Sequence, residues 1–361
     1  MNKSENQLFS QCIEALVTVQ DNLLDMSAAR LIQRSMSKKP DSLFLDTTPE
    51  ITLSKKLIEE YNSEFVLITE EKGIFNTDQI ASSQIVVFAD PTDRSKQLKE
   101  FIELQLQTES KPDCSFGDLM SNMNAIEEWN HIHKTPAELS GACCSITIVK
   151  NRTILFTMCL NYITKEIYLA YDDGAFRIPT IRLSKTEGEY QVDDKWTTIN
   201  FYPPEERKTF VTFLGKQSYE GYLKSAKPFD QTYKPLEKEP GGPLRILYLS
   251  NLNPQPPAFI LANGEKIAEW LGWLAFVKAS NDLVAYAIYP EAVFTRDNIL
   301  LAPSPLYSIL ECKEDTVRLD FDKLKYYKNP SRYREMILVA HRHNTWITAE
   351  IEADRSRKLY P

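Results

Sequence analysis

Two short apolar runs, Phe65-Val66-Leu67-Ile68 and Ile85-Val86-Val87-Phe88-Ala89, constrain the fold more than any other feature of this sequence. Both are rich in β-branched and aromatic residues and continuous rather than alternating, the pattern of strands covered on both faces. Each runs directly into acid: Glu70 and Glu71 after the first, Asp90 and then Asp93 after the second. If the strands are parallel neighbours, all four carboxylates gather at one end of the sheet, where ligands bind in α/β architectures. Carboxylates gathered there repel one another, burial further disfavours their charge, and a divalent cation relieves both penalties. Hard oxygen donors of this kind suit Mg2+, which typically shares a substrate phosphate. Arg94 and Ser95 then open a helix whose first N–H groups can face an anion. The competing reading of any single acid is that strand-end loops are solvated and cap the helices that follow.

The spacing of Phe9, Cys12, Leu16, Val19, Leu23 and Met26 predicts an opening helix. Thr48-Pro49-Glu50 predicts the start of a second, as a cap, a first-turn proline and an acid facing the helix dipole. A helix is expected over 95–106, with Leu98, Phe101, Ile102 and Leu106 inward. Residues 107–140 are mixed and polar and are expected to carry little regular structure. A strand meander is expected over 145–149, 153–160 and 166–170, then short β patterns through 176–240. Beyond Pro240-Gly241-Gly242 the texture is α/β: a strand over 245–249, a helix over 265–277, and strands over 283–288 and 336–340. No linker, repeat or low-complexity tract divides the chain. One domain over residues 1–361 is therefore expected, with a half at 1–240 carrying an insertion at 96–140 and a half at 241–361.

Composition excludes several functions. Lys and Arg number 42 against 50 Asp and Glu, a net charge of −8, which argues against coating nucleic acid or an anionic membrane. The six cysteines include no C-x-x-C pair, so neither a zinc site nor a disulfide framework is signalled. The first thirty residues lack a basic region followed by an apolar core, and no apolar run approaches the roughly 20 residues that span a bilayer. A soluble, cytoplasmic chain is the expectation. The pairs His131/His133 and His341/His343 have no further ligands nearby in sequence and make poor metal sites. No nucleophile elbow, H-E-x-x-H, Walker A or dinucleotide fingerprint appears.

Asp90-Pro91-Thr92-Asp93-Arg94-Ser95, with Glu70-Glu71 twenty residues upstream, resembles the inositol monophosphatase superfamily, whose patterns are G-E-E followed by D-P-[IL]-D-G-[ST]. The stretch from Ser145 to Gly174-Ala175-Phe176 is similar to the family's run from S-I-A-L to G-x-G-A-F. Leu45–Leu57 resembles its L-V-T-x-x-D segment, with Glu50 where the Asp would stand. Ala262-Asn263-Gly264-Glu265-Lys266-Ile267, Lys278-Ala279-Ser280 and Ala285-Tyr286 resemble elements of the 3′(2′),5′-bisphosphate nucleotidase branch. Arg296-Asp297 through Ala302-Pro303 loosely resembles its W-D-x-x-A-P.

The resemblance implies a layered α/β/α/β/α sandwich of mixed α and β, of the inositol monophosphatase/fructose-1,6-bisphosphatase type, and Mg2+-dependent hydrolysis of a phosphate monoester. Carried over by position, Glu70, Asp90, Asp93 and the Thr92 carbonyl would hold metal. Asp297 would complete a second site and Glu50 would assist a third ion. Glu70 with Ser95 would orient the attacking water, and the backbone N–H groups of Arg94 and Ser95 would grip the phosphate. Lys266 would contact a substrate phosphate and Glu291 a substrate hydroxyl. The implied partner is a small phosphorylated metabolite, a bisphosphate nucleotide or an inositol or sugar phosphate; homodimers are common in the family. Thr69, Arg94 and Arg296 replace the family's Gly, Gly and Trp. Arg94 sets a Cβ where backbone meets phosphate, so its side chain either blocks the cradle or grips a second phosphate. These departures and the insertion support a different reading, a degenerate member that binds or scaffolds without catalysis.

Overall fold

The first apolar run forms β1 (Val66–Thr69), which turns back through the edge strand β2 (Gly73–Phe75). The second forms β3 (Ile85–Asp93), parallel to β1 with Thr69 level with Ala89. In this computed structural model the described residues are 3–36, 41–60, 65–69, 73–75, 85–109, 114–121, 124–151, 153–171, 174–201, 210–213, 242–250, 252, 257, 259–264, 267–280, 282–288, 310–313, 316–319 and 335–341.

The strands β4 (Cys143–Lys150), β5 (Thr153–Asn161), β6 (Glu166–Tyr171) and β7 (Gly174–Pro179) extend the sheet from β3 as an antiparallel meander. A small ribbon of β8 (Lys185–Thr186) and β9 (Glu189–Tyr190) stands apart, and β10 (Thr197–Thr198) borders β7. A second sheet holds β11 (Phe210–Phe213), β12 (Phe259–Gly264) and β13 (Leu283–Ile288). The hairpin of β14 (Leu310–Lys313) and β15 (Thr316–Leu319) returns to β5, bringing the first sheet to ten strands. Last, β16 (Glu335–His341) enters the four-stranded sheet between β12 and β13.

The ten-stranded sheet is covered on both faces, which is why its central strands read as unbroken apolar runs. One face carries α1 (Lys3–Asp25), α2 (Ala28–Leu31), α3 (Phe44–Ser54) with a π-helical extension to Glu60, α4 (Ser95–Glu109), α5 (Phe116–Ser121), α6 (Ala125–His133) and α7 (Ala137–Ser140). There Phe9, Leu16, Leu53, Phe101 and Trp129 bury against Leu67, Val87 and Ala89. On the other face lie a 3-10 helix, Pro243–Leu249, and α8 (Ile267–Lys278), with the four-stranded sheet beyond them. There Leu247, Leu271, Trp273 and Phe276 bury against Ile68, Val86 and Phe88, with Ile260 and Val339 closing from the second sheet. Helices, sheet, helix, sheet are four layers of the expected sandwich; the fifth has no member among the described residues.

Three local expectations are corrected. The helix at Thr48 begins earlier, at Phe44, because Asp46 reaches back to the Leu43 N–H at 2.8 Å and caps the chain there. Pro49 is therefore interior. Residues 107–140 are not irregular but hold three short helices. The strand expected over 245–249 is the buried 3-10 helix Pro243–Leu249, pressed against α8 where Gly272 leaves room. A Cβ at Gly272 would fall 2.5 Å from Pro243 Cγ.

Candidate active site

In a regular strand, residues three apart face opposite ways, so Asp90 and Asp93 would diverge. A bulge in β3 prevents this. Asp90 pairs with Ser145 and Asp93 with Cys143, so three steps along β3 match two along β4. Ser145 and Cys143 share a face, and the extra residue turns both carboxylates onto it. Pro91, which has no N–H to offer a ladder, falls inside the bulge. The two acids are 1% and 8% exposed. Gly242, at φ +28°, roofs them with bare backbone: a Cβ there would meet Asp93 Oδ2 at 3.1 Å and Cys143 Sγ at 3.7 Å. A hydrogen bond to Cys159, burial, and the charges of Asp93 and Asp90 hold the Cys143 thiol well above its ordinary range, so it stays neutral.

Asp93 Oδ1 accepts the Arg94 N–H at 2.9 Å, while Oδ2 has no hydrogen-bond donor among the described residues. The Arg94 N–H is thus engaged by its neighbour's carboxylate. Thr92 turns the other way. Its hydroxyl donates to the Leu45 carbonyl at 2.7 Å, the acceptor that the interior Pro49 of α3 leaves without a helical partner. Glu50, fully buried on α3, accepts a hydrogen bond from Thr69 Oγ1 at the end of β1, one residue before Glu70. Ser95 is partly exposed as the first residue of α4.

Arg94 occupies the left-handed region at φ +66°, the conformation that accounts for the glycine of the resembled motif. Its guanidinium runs into the protein, donating from Nη1 to the Ser140 carbonyl at 2.9 Å and lying 5.9 Å from the Trp129 ring. Burial lowers its pKa, Asp93 opposes the fall and Arg245 adds to it. Arg245 is buried beside it, 5.5 Å over the Trp273 ring, and both its N–H and the Trp273 indole N–H donate to the Gly242 carbonyl. Two guanidinium groups therefore stand behind the acids, and α6 and α7 supply the receptor for one of them. Ser140, Trp129, Gly242, Arg245 and Ser145 carried no catalytic signature in the sequence; only the order of the resembled segments touched Ser145.

Among the described residues no group of three or more Asp, Glu, His or Cys side chains is arranged to hold a metal ion. Glu70, Lys266, Glu291, Arg296 and Asp297 lie outside the described residues. The described part of the site nonetheless fits a hard cation, since two buried carboxylates converge and one oxygen of Asp93 lacks a donor. His133 packs against Trp129 in the helical core, with ring centroids 4.2 Å apart and planes tilted by 53°. No described helix is long and apolar enough to cross a membrane.

The chain matches no family model, and no curated protein matches its sequence. Solved structures do match in shape. The extragenic suppressor protein SuhB of Bartonella henselae is 13% identical with a TM-score of 0.52, covering 95% of this chain and 97% of its own. A hypothetical protein of Pyrococcus horikoshii with similarities to inositol-1 monophosphatase is 10% identical with a TM-score of 0.53, covering 98% of both chains. The fructose-1,6-bisphosphatase of Leishmania major, in holo form, is 11% identical with a TM-score of 0.50, covering 95% of this chain and 92% of its own. The fold is of the inositol monophosphatase/fructose-1,6-bisphosphatase type.

Proposed function

We propose that this chain is a Mg2+-dependent phosphomonoesterase of the inositol monophosphatase superfamily. The observation that carries the proposal is the β3 bulge, which turns Asp90 and Asp93 onto one buried face at the end of a parallel strand pair. Asp90, Asp93 and the Thr92 carbonyl would hold the metal with Glu70, and Asp297 would join them. The metal would neutralise charge on the phosphoryl oxygens and lower the pKa of the attacking water. Glu70 and Ser95 orient that water, and the start of α4, with Ser95, receives the phosphate anion. The substrate is a small phosphorylated metabolite, not nucleic acid or membrane, and the enzyme works as a single cytoplasmic domain; pairing as a homodimer is what the family resemblance implies. A tilt towards bisphosphorylated nucleotides rests on Lys266, Ala302-Pro303 and Arg296 as a reader of a second phosphate, since Arg94 is held by Ser140.

Calorimetric titration with Mg2+ and phosphate release from adenosine 3′,5′-bisphosphate, inositol 1-phosphate and fructose 1,6-bisphosphate test this reading. Metal binding and turnover on one of them are expected, and Asp90→Asn removes both. No heat at millimolar Mg2+ would overturn it. That outcome belongs to the second reading, a binding or scaffold protein, which the buried Arg94 and Arg245 favour by supplying positive charge behind the acids.

A further inference from the structure

The face that receives Asp90 and Asp93 also holds a hydroxyl without a hydrogen-bond partner among the described residues. Ser145 stands directly opposite Asp90 in the antiparallel ladder, and such pairs share a face with Cβ atoms about 4.5–5.5 Å apart. Its side chain is 1% exposed, and Oγ has no hydrogen-bond partner among the described residues. Two residues along the same strand and on the same face, Thr147 is equally buried, but its hydroxyl is matched by Thr157 at 2.7 Å. A buried hydroxyl without a partner costs free energy that alanine would not incur, so its presence opposite Asp90, two residues along β4 from the partner of Asp93, points to an occupant from outside the chain.

We infer that Ser145 is a further oxygen donor of the cation site, supplied by β4 to complete the set that Asp90 and Asp93 begin on β3. The inference rests on the metal-dependent reading above. Alcohol and carboxylate oxygens together suit a hard divalent ion such as Mg2+ or Mn2+.

Mn2+ titration of the full chain, by calorimetry and by electron paramagnetic resonance, tests it without reference to turnover. Ser145→Ala is expected to weaken Mn2+ binding about tenfold or more. The metal-free variant should melt at or above the wild-type temperature, because an unsatisfied hydroxyl has been removed. Ser145→Thr keeps the oxygen and restores the affinity, and Ser145→Cys raises the preference for Cd2+ over Mn2+. Wild-type affinity in Ser145→Ala, or a loss matched by a lower metal-free melting temperature, would overturn the inference while leaving the metal-dependent reading in place. Failure of the wild-type chain to take up Mn2+ would sink both.

Discussion

Thr92 and Arg94 flank Asp93, and both side chains turn away from the cluster into the fold. Thr92 offers its hydroxyl to the carbonyl that Pro49 cannot serve, so a proline that disturbs α3 becomes the docking point for the end of β3. Thr92→Val keeps the shape and leaves the Leu45 carbonyl bare, so urea unfolding should show a loss of about 1–3 kcal/mol. Mn2+ affinity should hardly change, since only the Thr92 backbone is assigned to the metal. Arg94 carries a charge-assisted bond to Ser140 through the wall of the site. Arg94→Met should cost about 1.5–3 kcal/mol in the same measurement. Arg94→Gly relaxes the φ of +66° yet loses that bond, so it should not raise phosphate release; a rise would show that the guanidinium obstructs the anion.

The β3 bulge and the α8 packing place the acids and their roof. A strict ladder would have sent one carboxylate to the helical face among Val87 and Ala89; the inserted residue retrieves it. The roof depends on α8, because Gly272 lets Pro243 lie against the helix and so fixes Gly242 over Asp93. Gly272→Ala puts a methyl 2.5 Å from Pro243 Cγ, and thermal melts should report a loss of about 1–3 kcal/mol. Weaker Mn2+ binding should accompany it as the 3-10 helix is displaced; unchanged binding would show that the roof does not shape the site. The short helices α5 to α7 escaped sequence periodicity because four to nine residues span too few turns to display a face. Yet α6 and α7 hold the receptors for Arg94.

Across the whole molecule, two cores enclose titratable groups that stay neutral. Burial is the first cause that raises the pKa of Tyr162, Tyr168 and Tyr248, the last to about 12. Unfolded tyrosine releases its proton at about pH 10, so between there and the raised values the folded chain holds protons that the unfolded chain has lost. The stability these tyrosines contribute is complete below pH 10 and falls as pH rises through the folded values. Urea midpoints should therefore drop above pH 10, and the tyrosinate absorbance of these three residues should appear together with unfolding. Tyr248→Phe should flatten that drop. Full tyrosinate absorbance in a chain that is still folded would contradict the assigned burial.

The sequence by itself determined the parts written in consecutive residues. Burial on both faces makes a strand continuously apolar, so β1 and β3 were legible at Phe65–Ile68 and Ile85–Ala89, as was the opening of α4 at Ser95. The architecture was legible through the order of resembled segments, and the solved structures agree in fold at 10–13% identity. Local pattern could not distinguish a buried 3-10 helix from a buried strand at 245–249, because a short run of apolar residues serves either equally. Only the tertiary structure decided where the functional side chains point. Asp90 and Asp93 share a face because β4, far along the chain, pairs across a bulge, and Arg94 turns inward because α7 offers it the Ser140 carbonyl. Direction in a fold is set by the partner across the gap, and a partner distant in sequence leaves no mark on the residues it orients.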